Sequence, residues 1–331
     1  MYVGRRLGRH YLARLPGTGP LHDPACPSVD DANFFSGASC YAPAILREGS
    51  DGITTVPLAR RVPRGTQLAA MSLDGLLDLL IDEAGLNASA PGMARVSWAQ
   101  AQLAIGAAAG RLAIDGRLLT EILTVPLPFD KDLQAEHESS YMARLLMAGR
   151  PMLLAPLRDV RTTDRGWIVT LKHLPNWKLF VPARVGAALE ERHGGCLSLS
   201  QPPLYGMCLA RLVDAGRRGM FLADEVAVRR TDPALMPSAS AQEDAIGAWL
   251  TDLGRPFMHT LRFDAPLEQP LADFALTDGE VPAPVFVLAA TGCKALDEAK
   301  RAAALALVRD GRGGASVWDA QWINPPAARL V

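Results

Sequence analysis

The sequence predicts an α+β or α/β chain with a helical middle segment, a run of β-hairpins and a C-terminal sheet module in the order αβββαβ. Three observations carry that expectation. Apolar residues recur at helical spacing behind Ser72, and the period drops to two between Pro151 and Pro182. From Ser240 onward an acidic helix is followed by three strand-like runs, a Lys-bearing helix and a short last strand. With 331 residues, 49% of them apolar, the chain can bury the core of one large or two medium domains. Composition and punctuation divide it into 1–70, a hairpin and loop-rich Cys/His segment; 71–150, a helical cluster; 151–237, a β-rich hairpin region; and 238–331, the sheet module.

At the N-terminus, Tyr11 to Leu15 alternates like a strand and Pro16-Gly17-Thr18-Gly19-Pro20 closes it as a turn. Gly17-x-Gly19 makes no dinucleotide fingerprint, because Pro20 follows and no helix opens behind it, so no nucleotide cofactor is expected. Next, His22, Cys26 and Cys40 lie in a stretch poor in large apolar residues. Ligands of that type suit a structural Zn²⁺ that substitutes for a core, although His-x₃-Cys-x₁₃-Cys matches no standard finger. An ordinary loop is the other reading.

Ser72 is an N-cap for a helix carrying Leu73, Leu76, Leu77, Leu80 and Ile81. Trp98, Leu103 and Ile105 lead a second helix, and Leu118, Leu119, Ile122 and Leu123 a third. Strands follow at Met152–Leu154, Trp167–Leu171 and Trp177–Val181, with a helix over Ala183–Arg192 and further strand candidates at Met220–Leu222 and Glu225–Val228. Thr231–Ser240 reads as a linker. Beyond it, Ser240-Ala241-Gln242-Glu243 is a capping box, so the Glu243 carboxylate is either a ligand or a helix cap. Asp273 interrupts an apolar strand, where a carboxylate is costly unless it has a partner or faces water at an edge. The continuous run Val285–Leu288 fits a strand buried on both faces.

The net charge of −1 excludes the strongly basic field of a protein that coats nucleic acid, so any DNA contact is local. Five irregularly spaced cysteines make no disulfide framework. The longest apolar stretch, Ala99–Ala109, is interrupted by Gln102 and too short to span a bilayer, and no apolar leader opens the chain. A cytoplasmic protein without membrane contact is expected.

The module's order of elements, with Glu243 on its first helix and Asp273 on a strand, resembles the core of the PD-(D/E)XK nuclease superfamily. That resemblance implies Mg²⁺ held by Asp273 and Glu243, with Lys294 or Lys300 supplying the lysine function from the following helix. The next strand offers only Pro284, Val285, Phe286 and Val287 where the superfamily places an acid and a Lys. The whole chain is also similar to the bacterial family known as domain of unknown function 1173, through Pro16-Gly17-Thr18-Gly19 with His22 and Cys26, Gly254-Arg255-Pro256-Phe257, Leu261-Arg262-Phe263-Asp264, and Asp273-Phe274-Ala275-Leu276-Thr277-Asp278. Members often sit on plasmids and integrative elements and carry further cysteines before the first strand, whereas here Met1 nearly adjoins it. The favoured expectation is a degenerate nuclease-like module that binds DNA or a partner protein of a mobile element without cutting. The alternatives are a Mg²⁺-dependent nuclease using Asp273 and Glu243, and a zinc-stabilised interaction scaffold.

Overall fold

A computed structural model describes residues 2–6, 9–13, 35–42, 45–59, 68–93, 95–194, 197–203, 205–217, 219–279, 282–288, 294–309 and 316–319. It is an α+β assembly of helices around several mixed sheets. Strands β1 (Tyr2–Arg6) and β2 (Arg9–Ala13) form an antiparallel hairpin. After a 3₁₀ turn at Gly37–Cys40 come β3 (Arg47–Glu48), β4 (Thr54–Thr55), α1 (Leu73–Glu83), β5 (Ala88–Ser89), α2 (Trp98–Ala109), β6 (Leu112–Ile114) and β7 (Arg117–Leu118). Both early helices open on serine: Ser72 accepts from Gly75 N–H, and Ser97 forms a capping box with Gln100. Every residue of α1 from Leu73 to Ile81 is buried, Asp74 and Asp78 included. Leucines on all sides of a helix mark one wrapped by the core.

The expected third helix is a single turn, α3 (Leu119–Ile122), because Leu123 and Thr124 leave it as β8 to pair in parallel with Met152 and Leu153. A longer helix, α4 (Gln134–Met147), follows, then β9 (Met152–Thr163), β10 (Gly166–Leu171), β11 (Leu174–Pro182), α5 (Ala183–Arg192), β12 (Gly206–Arg217) and β13 (Met220–Arg230). These five strands close into a ring. The first half of β9 pairs with β12 and its second half with β10; β10 pairs with β11, β11 runs parallel to β13, and β13 pairs with β12. The interior is filled by Leu153, Val169, Trp177, Leu179, Ala210, Phe221 and their neighbours, and α5 adds Val185 and Leu189 to the same cluster.

The C-terminal module contains α6 (Ala241–Asp252), β14 (Phe257–His259), β15 (Phe274–Leu276), β16 (Ala283–Leu288), α7 (Lys294–Arg309) and β17 (Ser316–Asp319), the expected αβββαβ order. Its sheet runs β17-β16-β15-β14-β5, with β14, β15 and β16 an antiparallel meander and β17 parallel to β16. As its apolar run predicts, β16 is interior: Phe286 is 0% and Val287 1% exposed. The fifth strand comes from far away, since Ala88 and Ser89 pair with Met258 and Phe257. One apolar cluster likewise joins Tyr41, α1, α2, Leu209, Ala227, Leu261 and Phe263. Thr231–Ser240, expected as a linker, is a tied turn: Asp232 Oδ1 accepts from the N–H groups of Ala234 and Met236, and Ser238 is held by Arg230.

Candidate functional site

Four ionisable side chains meet beneath a cleft of about 150 Å³. Glu243 lies in the first turn of α6, His259 ends β14, Asp273 immediately precedes β15, and Lys300 lies on α7. They are 2%, 7%, 5% and 5% exposed, so each must find its partners within the protein. Val228, Leu261, Leu271, Ala272 and Leu296 form apolar walls of the cleft.

Ser240 caps α6 by accepting from Glu243 N–H at 3.1 Å, but the Glu243 carboxylate does not complete the capping box. Its Oε2 accepts from Ala239 N–H at 2.7 Å and from His259 Nε2 at 2.9 Å, while Oε1 lies 3.7 Å from Lys300 Nζ. Asp273 continues the ladder through its backbone, with its N–H bonded to Val285 O at 2.9 Å. Asp273 Oδ2 accepts from Val287 N–H at 2.7 Å, and Oδ1 pairs with the Lys300 ammonium. His259 Nδ1 faces Thr260 O at 3.0 Å. Both ring nitrogens of His259 thus face oxygen atoms, the Thr260 carbonyl and the Glu243 carboxylate. The quartet thus sets two carboxylates against the Lys300 ammonium and the His259 ring.

Burial pushes Asp273 up to about 6, with the nearby Glu243 charge adding to the rise and Lys300 opposing it. For Glu243 burial is again the largest single influence and raises it, but Lys300, His259 and the Ala239 N–H together hold it well below the ordinary carboxylate range. Lys300 is raised: burial favours the neutral amine, and the two carboxylates outweigh burial.

The structure therefore brings together three of the residues singled out in the sequence, Glu243, Asp273 and Lys300, and excludes the fourth. Lys294 is exposed and pairs with Glu298 at 3.7 Å, so it belongs to the solvated side of α7. The strand after Asp273, where the nuclease resemblance calls for an acid and a Lys, contributes the Val287 N–H instead. This donor set does not fit a resident Mg²⁺. Such an ion takes carboxylate oxygens and keeps several waters, whereas here the carboxylate oxygens face backbone N–H groups, the His259 ring and the Lys300 ammonium. Of the expected zinc ligands, His22 and Cys26 lie outside the described residues. Cys40 is buried in the 3₁₀ turn, its thiol pushed up to about 12 by burial first and the Asp264 charge second. Among the described residues no group of three or more His, Cys, Asp or Glu side chains is arranged to hold a metal ion.

His259 is the member sequence reasoning missed, and its signal was available: a lone titratable residue between Met258 and Thr260 at the end of a strand-like run. A second buried acidic group was missed as well. Asp264 accepts from Tyr41 Oη at 2.6 Å and from Ser72 N–H at 2.8 Å, and Asp78 accepts from Phe263 N–H at 2.7 Å and pairs with Arg229 at 2.7 Å. Asp74 pairs with Arg192 and with His193. Burial, aided by Asp74 and Asp264 and opposed by Arg229, pushes Asp78 up to about 6. These contacts bind 261–265 to the start of α1. No helix among the described residues is long and apolar enough to cross a membrane.

No curated protein and no solved structure matches the chain. The model of the family described as protein of unknown function (DUF1173) matches residues 1–322, and the chain belongs to that family.

Proposed function

We propose that this chain is a non-catalytic binding protein whose C-terminal module keeps a nuclease-like layout around a self-paired core, and that it binds DNA or a partner protein of a plasmid or integrative element. The observation that carries the non-catalytic part is the seat of Lys300, whose ammonium pairs with Asp273 and lies 3.7 Å from Glu243, in the place between the two carboxylates where a divalent cation would have to enter. Entry of the cation would displace a buried ammonium from its two carboxylate partners, and an uncompensated buried charge costs several kcal/mol. Nor does the quartet supply a free base. Glu243, Asp273 and His259 spend their hydrogen-bonding capacity on one another, on Lys300 and on the backbone. Phosphodiester cleavage requires metal-held charge neutralisation and an oriented nucleophile, and this arrangement offers neither. The mobile-element setting comes from the family resemblance rather than from any single residue.

The test is cleavage of single- and double-stranded DNA with Mg²⁺ or Mn²⁺, comparing the natural chain with Asp273→Ala. The expected result is the same negligible cutting by both proteins. Robust cutting that disappears in the variant replaces this reading with a Mg²⁺-dependent nuclease in which Lys300 leaves the carboxylates before catalysis.

A further inference from the structure

The ring of strands between Met152 and Arg230 has a specific connectivity. In chain order its strands β9, β10, β11, β12 and β13 close as β9-β10-β11-β13-β12-β9, with α5 inserted between β11 and β12 and with β11 parallel to β13. The first strand is long and shared, giving its two halves to different neighbours. A five-stranded Greek-key barrel with this order and a helix after its third strand is the oligonucleotide/oligosaccharide-binding arrangement, whose second and third strands form the ligand face between the loops after the first and fourth strands.

The outer surface of this barrel is divided. Over the β9–β12–β13 side it is covered, because Leu154, Met207, Leu209 and Ala227 point outward into the same apolar cluster as α1. Over β10 and β11 it is open. There the register aligns Arg161, Ile168, Phe180 and Leu222 in one outward row across β9, β10, β11 and β13, and Asp159, Thr170, Lys178 and Met220 in the next. Ile168, Phe180 and Leu222 are half-buried, and Arg161 and Lys178 are exposed. Five exposed cations, Arg158, Arg161, Arg165, Lys178 and Arg184, stand on these strands, the β9–β10 turn and the start of α5. Three acids oppose them, Asp159, Asp164 and Glu138, the last bonded to Asn176 at 3.2 Å. Five against three leaves a positive face on a chain whose net charge is −1. The Arg161–Asp159 pair is 79% and 49% exposed, and such a pair holds its arginine weakly.

We infer that the β10–β11 face of this barrel binds single-stranded nucleic acid, with Phe180 and Ile168 as the stacking platform for a base and with Arg161, Arg165 and Lys178 on the backbone phosphates. An aromatic ring flanked by cations on an open sheet face suits unpaired bases, which expose their faces for stacking; a duplex hides them. This goes beyond the reading of the C-terminal cleft, since none of these residues lines that cleft. It also locates the DNA contact that a nearly neutral chain must confine to one patch.

The experiment is fluorescence anisotropy of the full chain with labelled 20-nucleotide oligo(dT), oligo(rU) and a DNA duplex at low salt. Expected are tighter binding to the single strands than to the duplex and, for Phe180→Ala, a loss of about five- to a hundredfold. Arg161→Ala with Lys178→Ala should weaken binding and lower the slope of log affinity against log salt by about 1.4. Arg150→Ala, which removes an exposed cation away from this face, should bind like the natural chain. Unchanged thermal melting of each variant shows that the barrel is intact. The two single-stranded arms separate DNA from RNA as the ligand. No binding to either single strand, a preference for the duplex, or face variants that bind like the natural chain each overturns the inference. Loss of binding confined to Asp273→Asn likewise overturns it and moves the contact to the C-terminal cleft, leaving the non-catalytic reading intact.

Discussion

Arg229 and Arg230 are consecutive residues of β13 that grip opposite sides of the molecule. Neighbouring side chains on a strand point to opposite faces. Arg229 therefore reaches Asp78 on α1 at 2.7 Å, while Arg230 reaches Asp244 on α6 at 3.0 Å and Ser238 at 2.7 Å. A single dipeptide at the end of the barrel thus fastens the N-terminal helix on one side and the C-terminal module on the other. Segment 259–265 repeats the arrangement, giving His259 to Glu243 and Asp264 to Ser72.

The quartet should behave as one unit in stability measurements. Removing one partner of a buried ion pair leaves the other uncompensated, so Asp273→Ala and Lys300→Met should each cost about 3–5 kcal/mol. The double variant removes the charge and its counter-charge together and should cost at least about 1 kcal/mol less than the sum. Urea unfolding of the four proteins measures the cycle, and strictly additive losses would show that the groups do not interact.

Asp78 sets a pH dependence whose sign follows from its environment. Its folded value of about 6 lies above the ordinary 3.8, so its contribution to folding is fully present below 3.8 and is lost as pH rises through 6. Asp78→Asn lacks this titration. The stability deficit of the variant relative to the natural chain should therefore be larger at pH 4 than at pH 7. Urea midpoints at both pH values give the answer, and a deficit that grows with pH contradicts the assignment.

Gly75 is required by space. A Cβ built there would overlap the Tyr41 hydroxyl, with Asp264 Oδ2 2.7 Å away and Met71 Cγ 2.8 Å away. Gly75→Ala should thus destabilise the protein by about 1–3 kcal/mol despite the better helix propensity of alanine. Chemical denaturation tests it, and a neutral or stabilising result would mean that the Tyr41–Asp264 bond is dispensable.

Hydrogen exchange should rank the strands of the C-terminal sheet. Val285 pairs with both neighbouring strands, Phe286 and Val287 pair with β17, and the Val287 N–H also reaches Asp273; in this buried strand their amides should be among the slowest to exchange. Ala88 and Ser89, half-buried at the sheet edge, should exchange faster. Equal protection would contradict this sheet order.

The local patterns were legible where a segment's own sequence decided its structure. Ser72 and Ser240 start helices because a hydroxyl satisfies the first free N–H groups, and Val285–Leu288 is an interior strand because nothing in it tolerates water. What failed depended on distant partners. β12 escaped notice because its first half packs small and apolar side chains on both faces, which hides the period of two. In β9 the Arg158 to Thr163 stretch is polar outside the barrel, so only Met152–Leu154 looked like a strand. Of the site, Asp273 stood out as an acid in an apolar run and Glu243 through its capping box on the acidic first helix, and Lys300 was one of two lysines available on its helix. Which lysine turned inward depended on the helix face that packs on β16, and the role of His259 depended on Glu243 lying across from it.

The two-residue strand Ala88–Ser89 has a consequence for synthesis on the ribosome. Its partners, Phe257 and Met258, emerge about 170 residues later, which at roughly 5–20 residues per second is on the order of ten to thirty seconds. Asp78, whose N–H partner is Phe263, waits equally long. All strands of the barrel lie within Met152–Arg230, so it can close while α1 still lacks its cover. The nascent chain therefore passes through an interval in which an apolar helix, with Asp74 and Asp78 on faces that are buried in the finished protein, is exposed beside a closed barrel. That is the window in which a trigger-type chaperone or premature termination would have its largest effect on yield.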